Sequence, residues 1–173
     1  MAAGVGPFSE AVRELTLPLR HEDIIRQQAA EKDLDAALIA AVIHQETGFR
    51  PRTSPAGAKG LMQITPDTAQ FIATNSGGTQ FELDDLASPD INIRYGSWYL
   101  RHLSRRFDGD LTLAVAAYNA GAENVVRWVE EAGGADEFDP SKHIEFPETR
   151  EYVSGVSKSR RDYREHYARE LGL

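Results

Sequence analysis

One carboxylate, Glu46, stands where an apolar helix is predicted to end, in the stretch AAVIHQETGF of residues 40–49. At about 100° per residue, Ile39 lies about 20° from Glu46 around the helix and Val42 lies about 40° away. The carboxylate is therefore predicted at the centre of the stripe that faces the core. Desolvation and the negative end of the helix dipole both raise a carboxyl pKa. A glutamic acid that stays protonated near neutral pH can act as a general acid.

The position of Glu46 also has a purely structural explanation. Its carboxylate could pair with Arg50 or Arg52, which follow it closely in the sequence, or could reach water from a frayed helix end. A structural ion pair shifts the pKa of a carboxyl group, as a catalytic site also does. The helix pattern alone therefore does not decide whether Glu46 is a general acid or a structural residue.

The segment after this helix, RPRTSPAGAKGLMQITPDTA, predicts a loop that approaches another group closely. Gly48, Gly57 and Gly60 allow such an approach, because glycine carries no Cβ. Gln63 interrupts the apolar run LMQI, and a buried amide needs hydrogen-bond partners. We expect the Gln63 amide either to orient the Glu46 carboxyl or to bind a polar ligand.

Helix start and stop signals recur along the chain and predict an all-α fold. With their caps, seven helices are predicted over residues 21–33, 35–47, 65–73, 88–107, 110–121, 122–134 and 146–172. Gly96 lies inside one of them and costs about 1 kcal/mol relative to Ala, so we expect close packing there. Strand signals are weak, since no period-2 run exceeds four or five residues.

Composition narrows the possible functions. The 173 residues suffice for one compact domain, and the net charge of −8 argues against a nucleic-acid partner, which needs clustered Lys and Arg. The chain has no Cys, which excludes thiolate nucleophiles and Cys–zinc sites. The five His residues show no metal-ligand spacing, and His44, about 160° from Glu46 around the helix, is predicted at the surface.

The sequence shows neither a transmembrane pattern nor a signal-peptide pattern. No run of 18 apolar residues predicts a transmembrane segment. The N-terminus MAAGVGPFSEAVRE lacks the basic and then apolar pattern of a signal peptide, so we expect any export signal of the natural protein to be missing from this sequence.

The spacing of several motifs resembles one known family. HQETGFRP, SPAGAKGLMQITPDTA, AYNAG and IEFPETREYV occur in that order and, with the helix LASPDINIRYGSWYLRHL, span about Leu19 to Val156. Together they resemble the catalytic domain of soluble lytic transglycosylases, lysozyme-like enzymes that cleave bacterial peptidoglycan. The resemblance implies a single all-α domain of about seven helices with a substrate groove, formed by residues 19–173. Residues 1–18 would be an N-terminal extension or a first helix.

The resemblance also implies roles for six residues. Glu46 matches the catalytic acid, and the residues matching substrate-binding positions are Ser54, Gln63, Tyr118, Asn119 and Glu148. Tyr118 is expected to donate a hydrogen bond near Glu46 or the substrate acetamido group. The loop before Ser54 is one residue shorter than the family pattern, so Thr53 could share its role. The resemblance implies neither a metal nor an organic cofactor.

Three functions follow from the resemblance. The first is a lytic transglycosylase acting on glycan strands, as a monomer exported to the cell envelope or beyond, with Glu46 as acid and then base. The second is a hydrolytic muramidase, for which Glu82, Asp84 or Asp85 could supply a second carboxylate if they are not merely a solvated loop. The third is a peptidoglycan-binding domain without activity.

Overall fold

The computed structural model of the protein describes residues 7–77 and 82–173. The α-helices in these residues are α1 (Pro7–Thr16), α2 (Glu22–Lys32), α3 (Ala36–Thr47), α4 (Pro66–Asn75), α5 (Pro89–Arg106), α6 (Leu111–Ala120), α7 (Ala122–Ala132), α8 (Pro140–His143), α9 (Pro147–His166) and α10 (Ala168–Leu171). Short 3-10 helices occupy Leu83–Ala87 and Ala135–Glu137. Strands β1 (Arg52–Thr53) and β2 (Lys59–Gly60) pair antiparallel, with Arg52 opposite Gly60.

The all-α prediction is confirmed, and the seven predicted helices correspond to α2 to α7 and α9. The prediction of one terminal helix up to residue 172 is wrong in its last turns. Backbone φ at Tyr167 is −133°, so α9 ends at His166 and α10 follows separately. The buried Tyr167 donates a hydrogen bond from its hydroxyl to the carbonyl of Leu17, 2.9 Å away. This contact fixes the chain at the position where the helix breaks.

The N-terminal region contains a helix that the predicted seven do not include. Of residues 1–18, residues 1–6 lie outside the described part of the chain and Pro7–Thr16 form α1. The division between residues 1–18 and 19–173 stays a prediction.

Helix α3 is the central helix of the fold and carries Glu46 at its end. The Asp35 carboxylate caps its start by accepting from the N–H of Ala37 at 2.9 Å, and Gly48, with φ +57°, ends it. Residues 36–43 are all buried, and α9 is the element that α3 contacts most extensively. The packing of α3 on α9 therefore determines what faces Glu46.

A buried asparagine on α5 holds the loop that follows β1. Asn92 accepts a hydrogen bond from the N–H of Met62 (2.8 Å) and donates to the carbonyls of Lys59 (2.9 Å) and Leu86 (3.0 Å). A Cβ on Gly60 would lie 2.1 Å from the Asn92 amide nitrogen, so only glycine allows this approach. The close packing expected around Gly96 is confirmed, because a Cβ there would lie 2.3 Å from the Met62 sulfur.

Within residues 7–77 and 82–173, none of the helices combines the length and the apolar character that crossing a membrane requires.

Candidate active site

The Glu46 side chain is half-buried at the end of α3 and faces the start of α9. Its Oε1 accepts a hydrogen bond from the hydroxyl of Tyr152 on α9, at 2.8 Å. Burial raises the pKa of Glu46 to about 7, while the Tyr152 hydrogen bond and the charge of Arg52 oppose that rise. The side chain is therefore in the range in which one carboxyl group can both give and take a proton near neutral pH.

The ion pair with Arg50 or Arg52 is not formed. Among the described residues, neither arginine has a nitrogen within 4.0 Å of the Glu46 carboxylate oxygens. Arg52 instead donates from Nη2 to the backbone carbonyl of Glu46 at 3.0 Å. A cation on a C-terminal carbonyl stabilises the helix end. Arg52 thus fixes the backbone beneath the carboxylate without neutralising its charge.

The Gln63 amide bonds two backbone carbonyls and has no hydrogen bond to the Glu46 carboxyl among the described residues. Its φ is +51°, and its Nε2 donates to the carbonyls of Arg52 and Gly60, each at 2.9 Å. The expectation that its amide orients the Glu46 carboxyl by direct contact is therefore wrong. Both bonds hold the β1–β2 turn in place, and the turn holds Arg52 against the end of α3. Its predicted role in binding substrate stays a prediction.

Tyr118, near the end of α6, connects that helix to the turn after β2. Its hydroxyl donates to the carbonyl of Met62 at 2.9 Å, so its proton is not directed at Glu46 in this structure. Burial raises the pKa of Tyr118 well above its usual value, and the nearby charge of Glu46 raises it further. The residue lies beside the acid as the motif implies, and its hydroxyl oxygen remains able to accept.

Asn119 and the first turn of α9 come together on another side of the site. Asn119 is exposed, and its Oδ1 accepts a hydrogen bond from the hydroxyl of the buried Thr149 at 2.7 Å. Its amide nitrogen has no hydrogen bond to other described residues. Glu148, which precedes Thr149, is exposed to solvent. Both predicted binding residues therefore present polar groups at the surface near the start of α9.

Ser54 lies at the base of the turn between the strands. Its backbone N–H donates to the carbonyl of Ala58 at 2.8 Å, and its Oγ accepts from the N–H of Ala58 at 3.1 Å. These bonds close the shortened loop. Thr47 adds a second attachment, because its hydroxyl donates to the carbonyl of Leu61 at 2.8 Å. The serine hydroxyl proton has no acceptor among the described residues, so a ligand can still accept it.

Two residues that shape the site were not singled out from the sequence. Tyr152 falls on the apolar stripe of the terminal helix and gives the same pattern as a core tyrosine. Asn92 gives the weak signal of an amide among apolar helix residues, which a search for buried polar groups could have found.

The acids considered for a second carboxylate have structural roles. Glu82 and Asp85 cap the 3-10 helix reciprocally, and Asp84 pairs with Lys59 at 2.7 Å.

The prediction that His44 lies at the surface is wrong: it is half-buried, with its ring 5.9 Å from that of Tyr163, because α9 also covers that side of α3. Within the described parts of the chain, no group of three or more His, Asp and Glu side chains could hold a metal ion.

An all-α fold whose central helix ends in a half-buried glutamic acid has the features of the lysozyme-like class. Residues 23–139 match the family model described as "Transglycosylase SLT domain". The soluble lytic murein transglycosylase of Salmonella typhimurium is 34% identical over 151 residues, which cover 83% of this chain and 23% of that protein. The chain therefore belongs to the transglycosylase SLT domain family.

Solved structures agree with this assignment. The 70 kDa soluble lytic transglycosylase of Escherichia coli superposes with a TM-score of 0.82 at 30% identity, over 88% of this chain and 25% of that one. An inactive glutamate-to-glutamine mutant of lytic transglycosylase Slt from Pseudomonas aeruginosa gives a TM-score of 0.80 at 32% identity, over 88% and 25% of the two chains. The chain spans about a quarter of the length of these relatives.

Proposed function

We propose that the chain is a peptidoglycan lytic transglycosylase domain. It cleaves the β-1,4 bond between N-acetylmuramic acid and N-acetylglucosamine without adding water. The observation that carries this proposal is the half-buried Glu46 carboxyl, whose pKa burial raises to about 7. Such a group holds a proton at mildly acidic pH and can give it to a leaving oxygen.

In the proposed reaction one carboxyl group serves both steps. Glu46 protonates the bridging oxygen as the glycosidic bond breaks, while the acetamido group of the muramic residue assists at the anomeric carbon. The ionised Glu46 then removes the proton of the C6 hydroxyl, which attacks the same carbon and closes a 1,6-anhydro ring. The hydroxyl of Tyr152, 2.8 Å from Oε1, stabilises the carboxylate that exists between the steps.

A single-acid mechanism also agrees with what surrounds Glu46. The acids considered for a second carboxylate are engaged elsewhere, since Glu82 and Asp85 cap the 3-10 helix and Asp84 pairs with Lys59 at 2.7 Å. The inactive glutamate-to-glutamine mutant of the Pseudomonas relative supports dependence on one glutamate as well.

The glycan contacts are proposed on the faces that meet at Glu46. Ser54 lies in the turn between β1 and β2, Gln63 lies in the turn after β2, and Tyr118 and Asn119 lie at the end of α6. Glu148 would contact the strand or its stem peptide from the start of α9. The exposed amide of Asn119 supports this arrangement, because it has a donor to offer a sugar.

The setting of the reaction follows from its substrate. We propose that residues 19–173 act as the catalytic unit, as a monomer, on glycan strands in the bacterial cell envelope or outside the cell. The names of the relatives support an envelope location, since they include a soluble and a membrane-bound lytic murein transglycosylase. The proposed reaction requires no metal or organic cofactor.

Mass spectrometry of digested, purified peptidoglycan tests the proposal. We expect fragments with 1,6-anhydromuramic ends, which are one water lighter than reducing ends, and none from Glu46→Gln. Reducing ends alone would show a hydrolase, and intact peptidoglycan that still binds the protein would show a binding domain. Fragment release by Glu46→Gln at the wild-type rate would reject Glu46 as the acid.

A further inference from the structure

A cavity of about 300 Å³ lies between α3, α6 and α9. It is lined by the first halves of α3 and α6, whereas Glu46 and Tyr118 lie in the last turns of these two helices. Along α9, Arg160 at the cavity follows Tyr152 at the acid by eight residues, which is about 12 Å at about 1.5 Å per residue. The charged end of the cavity is therefore distinct from the candidate active site.

The floor of the cavity is apolar. The half-buried Leu111 contributes to it at the start of α6. The other apolar side chains belong to the core and are at most 9% exposed: Leu38, Val115, Val153 and Val156. A ligand with a short apolar group would be stabilised here, because its contact with the floor removes apolar surface from water.

Three arginines of α9 border the floor, and we refer to Arg160, Arg161 and Arg164 as the arginine rim. Asp35 accepts a hydrogen bond from Nε of Arg160 at 2.6 Å and from Nη1 of Arg164 at 3.0 Å. Arg161 is exposed and forms no ion pair with another described residue. Three guanidinium groups thus face one carboxylate, which leaves an excess of two positive charges in a protein whose net charge is −8.

Two further acids close to the arginine rim in the sequence or the fold are compensated by other groups. Asp110, before α6, accepts from the N–H groups of Thr112 at 2.8 Å and Leu113 at 3.0 Å, where the positive end of the helix dipole offsets its charge. Asp162 of α9 pairs with Lys158 at 2.7 Å. The excess of positive charge at the cavity therefore remains.

Asp35 also holds two guanidinium groups in position. Its own carboxylate is fixed because it caps α3, and its side chain is only 12% exposed. Arg160 uses Nε and Arg164 uses Nη1 for Asp35, so each keeps other N–H groups for a second acceptor. Guanidinium groups bind phosphate oxygens in pairs, and side chains that are already ordered lose little entropy on binding.

We propose that this cavity binds a phosphate monoester that carries a short apolar group. The phosphate lies at the arginine rim and its substituent lies on the apolar floor. A phosphate monoester carries a charge of about −1.5 to −2 at pH 7, which matches the excess of two, and it offers three oxygens to three guanidinium groups. A carboxylate has one charge and two oxygens and matches the rim less well. This binding site does not depend on the proposed cleavage reaction.

Titration of the ¹⁵N-labelled protein with phenyl phosphate tests the site, with backbone amide chemical shifts as the readout. We expect saturable shifts at Thr112, Ser157 and Arg161 with a Kd on the order of 1 mM. Inorganic phosphate lacks the apolar group and should bind at least about fivefold more weakly. Absence of saturable shifts up to about 20 mM phenyl phosphate, or equal affinity for both anions, would overturn the proposal.

Three variants separate the arginine rim from the net charge of the protein. Arg161→Gln removes no ion pair among the described residues, so the fold is preserved, and it should weaken binding of phenyl phosphate by about fivefold. Arg164→Lys keeps the charge beside Asp35 but loses the planar fork, and it should weaken binding by about threefold. The matched control Arg169→Gln removes an exposed arginine of α10 and should bind as the wild type does. Unchanged affinity of Arg161→Gln, or an equal loss with Arg169→Gln, would overturn the site.

Two sources could supply such a phosphate, a lipid headgroup or a soluble ester. Vesicles of phosphatidylcholine and phosphatidic acid at about 4:1 test the lipid, and phosphatidylglycerol in place of phosphatidic acid is the control with a diester. The soluble ester is tested with 3-methylbutyl phosphate. Binding of either that requires Arg161 supports the site and identifies the source, and failure of both would overturn it.

The Glu46→Gln protein separates this inference from the proposed function. It should bind phenyl phosphate as the wild type does, while it releases no anhydro fragments from peptidoglycan. If the wild type cleaves peptidoglycan but phenyl phosphate does not bind, only the phosphate site is refuted. If phenyl phosphate binds through Arg161 but the wild type releases no fragments, the site stands and the transglycosylase proposal fails.

Discussion

The replacement Glu46→Gln should stabilise the protein at alkaline pH, because it removes a charge that the fold disfavours. Gln has nearly the same shape and keeps an oxygen that can accept the Tyr152 hydrogen bond. In the wild type the folded state holds the carboxyl proton more tightly than the unfolded chain does. The stability that this preference provides is fully present below pH 4.5 and is lost as pH rises through about 7.

The size of the effect follows from the pKa shift of Glu46. A rise from 4.5 to about 7 is about 2.5 units, or about 3 kcal/mol at about 1.36 kcal/mol per unit. Because solvent reaches the half-buried side chain and screens its charge, we expect about 2 kcal/mol of this in the free energy of unfolding. Near pH 5 the carboxyl is protonated in the folded protein and only part of this stability has been lost, so the variant should exceed the wild type by less than about 1 kcal/mol.

Urea unfolding of the wild type and of Glu46→Gln, at about pH 5 and about pH 8.5, measures the free energy of unfolding under each condition. Glu151→Gln is a matched control, since it removes an exposed carboxylate on α9 and should change the free energy of unfolding by less than about 0.5 kcal/mol. A Glu46→Gln protein that is equally or less stable than the wild type at both pH values would refute the reasoning. It would mean that the ionised Glu46 is well accommodated and cannot keep a proton for catalysis.

Three further variants test how the site is held together. Tyr152→Phe removes the hydrogen bond that stabilises the ionised Glu46, so its pKa should rise and the alkaline limb of the pH–activity profile should move to higher pH; an unmoved limb would contradict this role. Asn92→Leu should lower the free energy of unfolding by about 3 kcal/mol in urea titrations, because three backbone partners lose their hydrogen bonds; a loss under about 1 kcal/mol would count against it. Gly60→Ala should cost more than about 3 kcal/mol by the same measurement, since its Cβ meets Asn92 and the backbone. Gly57→Ala, at a similar φ of +82° but with its nearest neighbour 3.8 Å away, should cost only about 1 to 2 kcal/mol, and equal costs would show that backbone strain alone matters.

Local patterns predicted the helices because helix signals act within a few residues. Asp35, Thr65 and Asp110 cap their helices as expected, and Gly48 and Gly133 end theirs in the left-handed conformation. The end of α9 was missed because it depends on a distant contact. Tyr163 and Tyr167 bond the carbonyls of Pro18 and Leu17, which lie about 145 to 150 residues earlier in the chain.

Periodicity was least informative on α3. Residues 36–43 are buried on every side of the helix, so its pattern does not show which side another element covers. His44 was therefore assigned to solvent, although α9 packs over it. A helix wheel gives directions around one axis, and the burial at each direction depends on neighbouring helices.

The sequence by itself determined the all-α class and the position of Glu46 in the last turn of α3, because helix start and end signals act within a few residues. Only the tertiary structure decided the partners of the site. Three hydrogen bonds of the site join separate segments of the chain: Tyr152 to Glu46, Gln63 to Arg52, and Tyr118 to Met62. Such contacts follow from how helices and loops pack, and that packing is a property of the whole chain and not of any one segment.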